Sequence, residues 1–138
     1  MNAYKHTSKD CLCLKGDPYG KGKRELTING SSPVRIDRRQ WLVLQVLAKE
    51  RQAGGEYLSA AAILERIQNI NEAFNTSHGF EQETQQFWPS PDTTELYAVI
   101  KKLRDTFLAG GCKKELLENA GRGKGYRLCL PSDSIIFC

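Results

Sequence analysis

The spacing of apolar positions changes several times along the chain, and each change predicts an element. "CLCLK" at 11–15 alternates and reads as a short strand. "GDPYGKGK" at 16–23 is rich in turn residues. "ELTING" at 25–30 alternates again and closes on Asn29-Gly30, a hairpin signal, with "PVRID" at 33–37 returning as its partner. Residues 11–37 are therefore expected to form a small antiparallel sheet. From Asp37 the pattern becomes helical. "RRQWLVLQVLAKERQ" is too long for a strand and has no internal Gly or Pro, Asp37 and Gln40 stand at capping-box spacing, and Gly54-Gly55 follow the end. Trp41, Leu42, Leu44, Val46 and Leu47 occupy more than one stripe, which predicts a helix buried on several sides.

"EYL" at 56–58 is a minimal strand, and Ser59 is a good N-cap for "AAAILERIQNI", in which Ile63, Leu64, Ile67 and Ile70 form one stripe. Residues 71–91 are polar without a clear period, a long connection that is either functional, partly helical or mobile. Ser90 with Pro91, or Asp92 with Glu95, can start a third helix over about 92–109. Its inward stripe is Leu96, Val99 or Ile100, Leu103 and Phe107. Thr94, Tyr97, Ala98, Lys101, Lys102, Arg104 and Asp105 fall on the other faces. Leu116–Asn119 and Tyr126–Leu130 then read as a two-stranded hairpin stopped by Pro131.

The hairpin tip, "GRGKG", raises the question of a nucleotide-binding loop. Such a loop needs a hydroxyl residue after its Lys and a helix beyond it. Lys124 is followed by Gly125 and then by a strand, so the tip is a basic hairpin carrying Arg122 and Lys124, whose glycines permit positive φ and close backbone approach.

With 138 residues the chain is expected to be one domain: a loose terminus at 1–10, a sheet at 11–37, and a helical core with hairpin at 38–130. Its net charge of +4 is compatible with a polyanionic partner without demanding one. The polar start has no apolar run and no segment suits a membrane span, so a cytoplasmic protein without membrane contact is expected. Five cysteines without a C-x-x-C pair read most simply as buried free thiols, and two histidines cannot supply the usual zinc spacings, so neither metal nor cofactor is expected. No nucleophile stands beside His6 or His78, and Asp92 is better explained as a helix cap than as a nuclease carboxylate, so no catalytic residue and no enzyme is expected.

The order sheet, helix, short strand, helix, loop, helix, basic hairpin gives an α+β winged helix-turn-helix, with an N-terminal antiparallel sheet, three helices and a C-terminal β-hairpin wing. Leu103-Arg104 on the third helix, followed by Arg122-Gly123-Lys124-Gly125-Tyr126-Arg127, resembles the recognition helix and wing of OmpR/PhoB-type response-regulator output domains. The likeness extends over about residues 25–130. It implies a DNA-binding transcriptional regulator whose third helix enters the major groove and whose hairpin at 119–127 contacts phosphates or the minor groove. The candidate contacts are Thr94, Tyr97, Ala98, Lys101, Lys102, Arg104, Arg122, Lys124 and Arg127. Tyr126 would fix the base of the hairpin against the core. Expected partners are double-stranded DNA, RNA polymerase or another protein at the 71–91 loop, and a second copy of the chain on DNA. The departures are Tyr97 and Val99, where the family usually carries polar, acidic or His residues, and Asp92, Glu95 and Asp105, which repel phosphates. These favour the alternative of a winged-helix protein–protein interaction module without sequence-specific DNA binding.

Overall fold

The computed structural model describes residues 11–16, 24–30, 32–55, 57–78, 93–111, 116–119 and 125–137. Strands β1 (Leu12–Lys15), β2 (Glu25–Ile28) and β3 (Val34–Arg35) precede helices α1 (Arg38–Gln52), α2 (Ala60–His78) and α3 (Thr93–Ala109). Strands β4 (Leu117–Asn119) and β5 (Tyr126–Leu128), a 3-10 turn (Ser132–Ser134) and strand β6 (Ile135–Phe137) follow. The architecture is α+β, in a winged helix-turn-helix arrangement. The first sheet has the order β3-β2-β1-β6, and β4-β5 form the hairpin.

β1 and β2 pair antiparallel, Leu12 opposite Ile28 and Leu14 opposite Leu26, so one face of the ribbon is wholly apolar and buried. β2 and β3 pair as expected, with Leu26 opposite Val34. Asn29 and Gly30 both take positive φ, 53° and 74°, but they do not form a two-residue turn between these strands. Asn29 reaches back to the start of β1 instead: its Oδ1 accepts from the Cys11 amide at 2.7 Å, and its own amide donates to the Cys11 carbonyl at 2.9 Å. β6 lies parallel to β1, Leu12 opposite Ile135, which makes the first sheet mixed rather than purely antiparallel.

α1 has the bounds that its sequence predicts. The Asp37 carboxylate accepts from the Gln40 amide at 2.8 Å, and the Gln40 side chain accepts from the Asp37 amide, closing the capping box. Trp41, Leu42, Val43, Leu44, Val46 and Leu47 are all buried, so this helix does run through the core. Two long-range bonds fix its C-terminal end. Arg51 Nε donates to the Leu130 carbonyl at 2.7 Å, and Gln52 Nε2 donates to the Ile135 carbonyl at 2.8 Å. The Ser59 hydroxyl caps α2 by accepting from the Ala62 amide. α2 continues to His78, eight residues beyond its last clear apolar repeat, so the first part of the 71–91 connection is helix. α3 buries Leu96, Val99, Ile100, Leu103 and Phe107. The helix-start signals at Ser90, Pro91 and Asp92 lie outside the described residues.

The cysteines differ from the expectation of buried free thiols. Cys11 is half-buried and Cys129 exposed, both free, whereas Cys13 is disulfide-bonded. Cys11 and Cys13 lie on the face of β1 opposite to buried Leu12 and Leu14, and strand alternation excludes them from the core on that face. Among the described residues no helix is long and apolar enough to cross a membrane.

Candidate nucleic-acid interface

The hairpin is attached to the helices through its root. Leu58 and Tyr126 exchange both backbone hydrogen bonds, at 2.9 and 2.8 Å, so the "EYL" segment adds a one-residue third strand to the wing. Gly125 makes this possible. It has φ of 113°, and a Cβ built there would overlap the Leu58 carbonyl. At the far end of β5, the Cys129 amide donates to the Leu116 carbonyl just before β4, at 2.7 Å. Leu117 pairs with Leu128, and both are buried.

The same root touches one flank of α3. Arg104 Nε donates to the Leu117 carbonyl at 3.3 Å. Tyr126 is half-buried against the core, and its hydroxyl pKa is raised, first by burial and then by its proximity to Tyr97; Arg104 acts in the opposite direction. Tyr97 and Arg104 thus mark the wing side of the helix. Thr94, Ala98 and Lys101 are exposed beside that flank, Tyr97 is 50% exposed, and Lys102 is exposed on the far side of the polar face. The described root of the hairpin therefore abuts the Tyr97–Arg104 flank of α3. Arg122 and Lys124, at the tip, lie outside the described residues.

The cationic groups of this surface differ in availability. Lys101 Nζ is 3.6 Å from Asp105, one turn further on, in a well-exposed pair that is worth little. Lys102 is exposed. Arg39, from α1, lies 3.8 Å from Glu95 at the start of α3. Arg127 is held in a cluster that the sequence reading missed. Its Nε donates to Glu118 at 3.0 Å, directly across the β4–β5 ladder, and its guanidinium lies 4.7 Å from the centre of the Tyr57 ring. The hydrogen bond from Tyr57 and those from Arg127 and Cys129 hold the Glu118 carboxyl below its ordinary range, against an opposing effect of burial. Tyr57 is pushed up by burial and by that bond to Glu118. For Arg127, partial burial acts to lower the pKa, and the bond and charge of Glu118 more than reverse it. Arg104 and Arg127, both candidate DNA contacts by sequence, thus have guanidinium donors on protein acceptors at the hairpin root. The Glu118–Arg127 contact was accessible from the hairpin register alone. Tyr57 was not, because it comes from the other side of α2.

A groove of about 540 Å³ runs between β3 and the C-terminal half of α3, lined by Ser32, Val34, Asp105, Thr106, Ala109 and Gly110. Leu108 is 49% exposed on the same half of the helix. Among the described residues no group of three or more His, Cys, Asp or Glu side chains is arranged to hold a metal ion. Compared with protein-family models, curated proteins and solved structures, the chain matches none.

Proposed function

We propose that this protein is a DNA-binding transcriptional regulator of the OmpR/PhoB type, acting in the cytoplasm on double-stranded DNA without catalysing a reaction. α3 lies in the major groove and presents Thr94, Tyr97, Ala98 and Lys101. Lys102 and the wing-tip residues Arg122 and Lys124 meet phosphates or the adjoining minor groove. The observation that carries this reading is the junction of the hairpin root with the Tyr97–Arg104 flank of α3. On this reading the hairpin carries its basic tip, Arg122 and Lys124, toward the side of α3 that presents Lys101, so that one polyanion touches both. Arg104 and Arg127 take a different part from Lys101 and Lys102: Arg104 holds the wing root to α3, and Arg127 ties the two wing strands together beside Tyr57. A contact to RNA polymerase or another protein belongs, on this reading, to the segment after α2, and a second copy of the chain on DNA is compatible with it.

The test is binding to duplex DNA as a function of salt. About five phosphate contacts give a log–log slope near −4 to −5, and Lys102→Ala reduces the slope by about one. Absence of salt-dependent binding at low ionic strength removes the proposal. The second reading, a protein-interaction module, is favoured by the exposure of Leu108 and by the acids Glu95 and Asp105 on α3. It predicts a partner retained after nuclease treatment, with no shift of any DNA duplex.

A further inference from the structure

Resting on the DNA-binding reading, we propose that α3 recognises its site mainly through the 5-methyl groups of thymine. Side chains that make paired hydrogen bonds to base edges are Arg or Lys for guanine and Asn or Gln for adenine. α3, "TTELYAVIKKLRDTFLA", contains no Asn or Gln. Its one arginine, Arg104, donates to the Leu117 carbonyl on the wing side. Lys101 has the Asp105 carboxylate 3.6 Å away on the same outward face, which competes for its ammonium and repels the electronegative guanine edge. Lys102 lies off the centre of that face, where a point charge suits the phosphate backbone.

Apart from Glu95, which lies beside Arg39 of α1, what remains exposed in the first turns of the helix, the part that reaches bases in helix-turn-helix docking, is largely apolar surface. It comprises the Thr94 methyl, the Ala98 methyl and the Tyr97 ring, all exposed and within one turn of each other. Positions 94, 97 and 98 follow the i, i+3, i+4 spacing of a single helical face. The major groove offers one apolar group to such a surface, the thymine methyl. Burying one methyl group is worth about fourfold in affinity, so two such contacts give about tenfold or more.

A duplex is first selected from a random-sequence library by the purified protein. Two synthetic versions are then compared, one with thymine and one with deoxyuridine at every thymine position. The change removes the methyl groups and retains the phosphates and the hydrogen-bonding edges. The expected result is about tenfold weaker binding of the uracil duplex at an unchanged salt slope. Tyr97→Ala and Thr94→Ser, both at exposed positions, should narrow the difference between the two duplexes. Equal affinity of the two duplexes, with salt-dependent binding intact, overturns the thymine-methyl proposal and leaves DNA binding standing. Failure of both duplexes to bind at low salt overturns the DNA-binding reading and this proposal together.

Discussion

Gly125 carries the closest backbone approach at the root of the wing. Its φ of 113° and the Leu58 carbonyl, which lies where a Cβ would go, each oppose any side chain. Gly125→Ala is therefore expected to cost about 2–3 kcal/mol, combining strain at positive φ with separation of the Leu58–Tyr126 bridge. The check is a lower denaturation midpoint at an unchanged m-value. Glu118 supplies a pH signature at the same root. Its folded-state pKa lies below its ordinary value of 4.5, so the folded state binds fewer protons there than the unfolded chain. The resulting stability is complete above pH 4.5 and is lost as the pH falls through the folded value. Glu118→Gln should thus destabilise by about 1 kcal/mol at pH 7, and progressively less as the pH falls below 4.5, when the two proteins are compared by urea denaturation. A difference that grows on acidification would mean that Glu118 is not held as its carboxylate by Tyr57 and Arg127.

At the scale of elements, α1 is the case in which local chemistry determines both ends. The Asp37–Gln40 box starts it, and Gly54, with φ of 86°, follows its close. Asp37→Ala should cost about 1 kcal/mol, measured by thermal or urea unfolding, and Gln40→Ala should add to it, because Gln40 also reaches Thr106 of α3 at 3.4 Å. The other elements show where such local signals end. α2 runs on to His78 past its clear apolar stripe, with no Gly or Pro to stop it before Gly79. β6 is three residues whose partner, β1, is about 120 residues away, so no nearby pattern announces it. The outward face of α3 was legible from the 3.6-residue period, down to the exposure of Thr94, Tyr97, Ala98, Lys101 and Lys102. The engagement of Arg104 and Arg127 was not, since Leu117, Glu118 and Tyr57 come from other elements and only the folded chain sets them beside the two arginines.

At the scale of the whole molecule, the described buried side chains form one cluster that includes Leu12 and Leu26 of the sheet, Trp41 and Phe107 of the helices, Leu117 and Leu128 of the hairpin, and Ile135 of β6. A single core of this kind should unfold as one cooperative unit, because no part can open without exposing apolar surface shared with the rest. Ile135 tests this from the far end of the chain. It is buried against β1, and its carbonyl accepts from Gln52 at the end of α1, so it connects the sheet to the helical core. Ile135→Ala should cost about 2–4 kcal/mol through lost burial and the cavity left behind. The loss should appear equally in far-UV circular dichroism, which follows the helices, and in the fluorescence of Trp41, measured with the chain's other tryptophan replaced (Trp88→Phe). Coincident curves displaced by the same amount mean that the helices and the core around Trp41 respond together to a change made in the sheet, so α3, which packs in that core, inherits the stability of the whole. A Trp41 transition that stays in place while the dichroism curve moves would divide the molecule into two cooperative units. The orientation of the wing against α3 would then depend on only one of them.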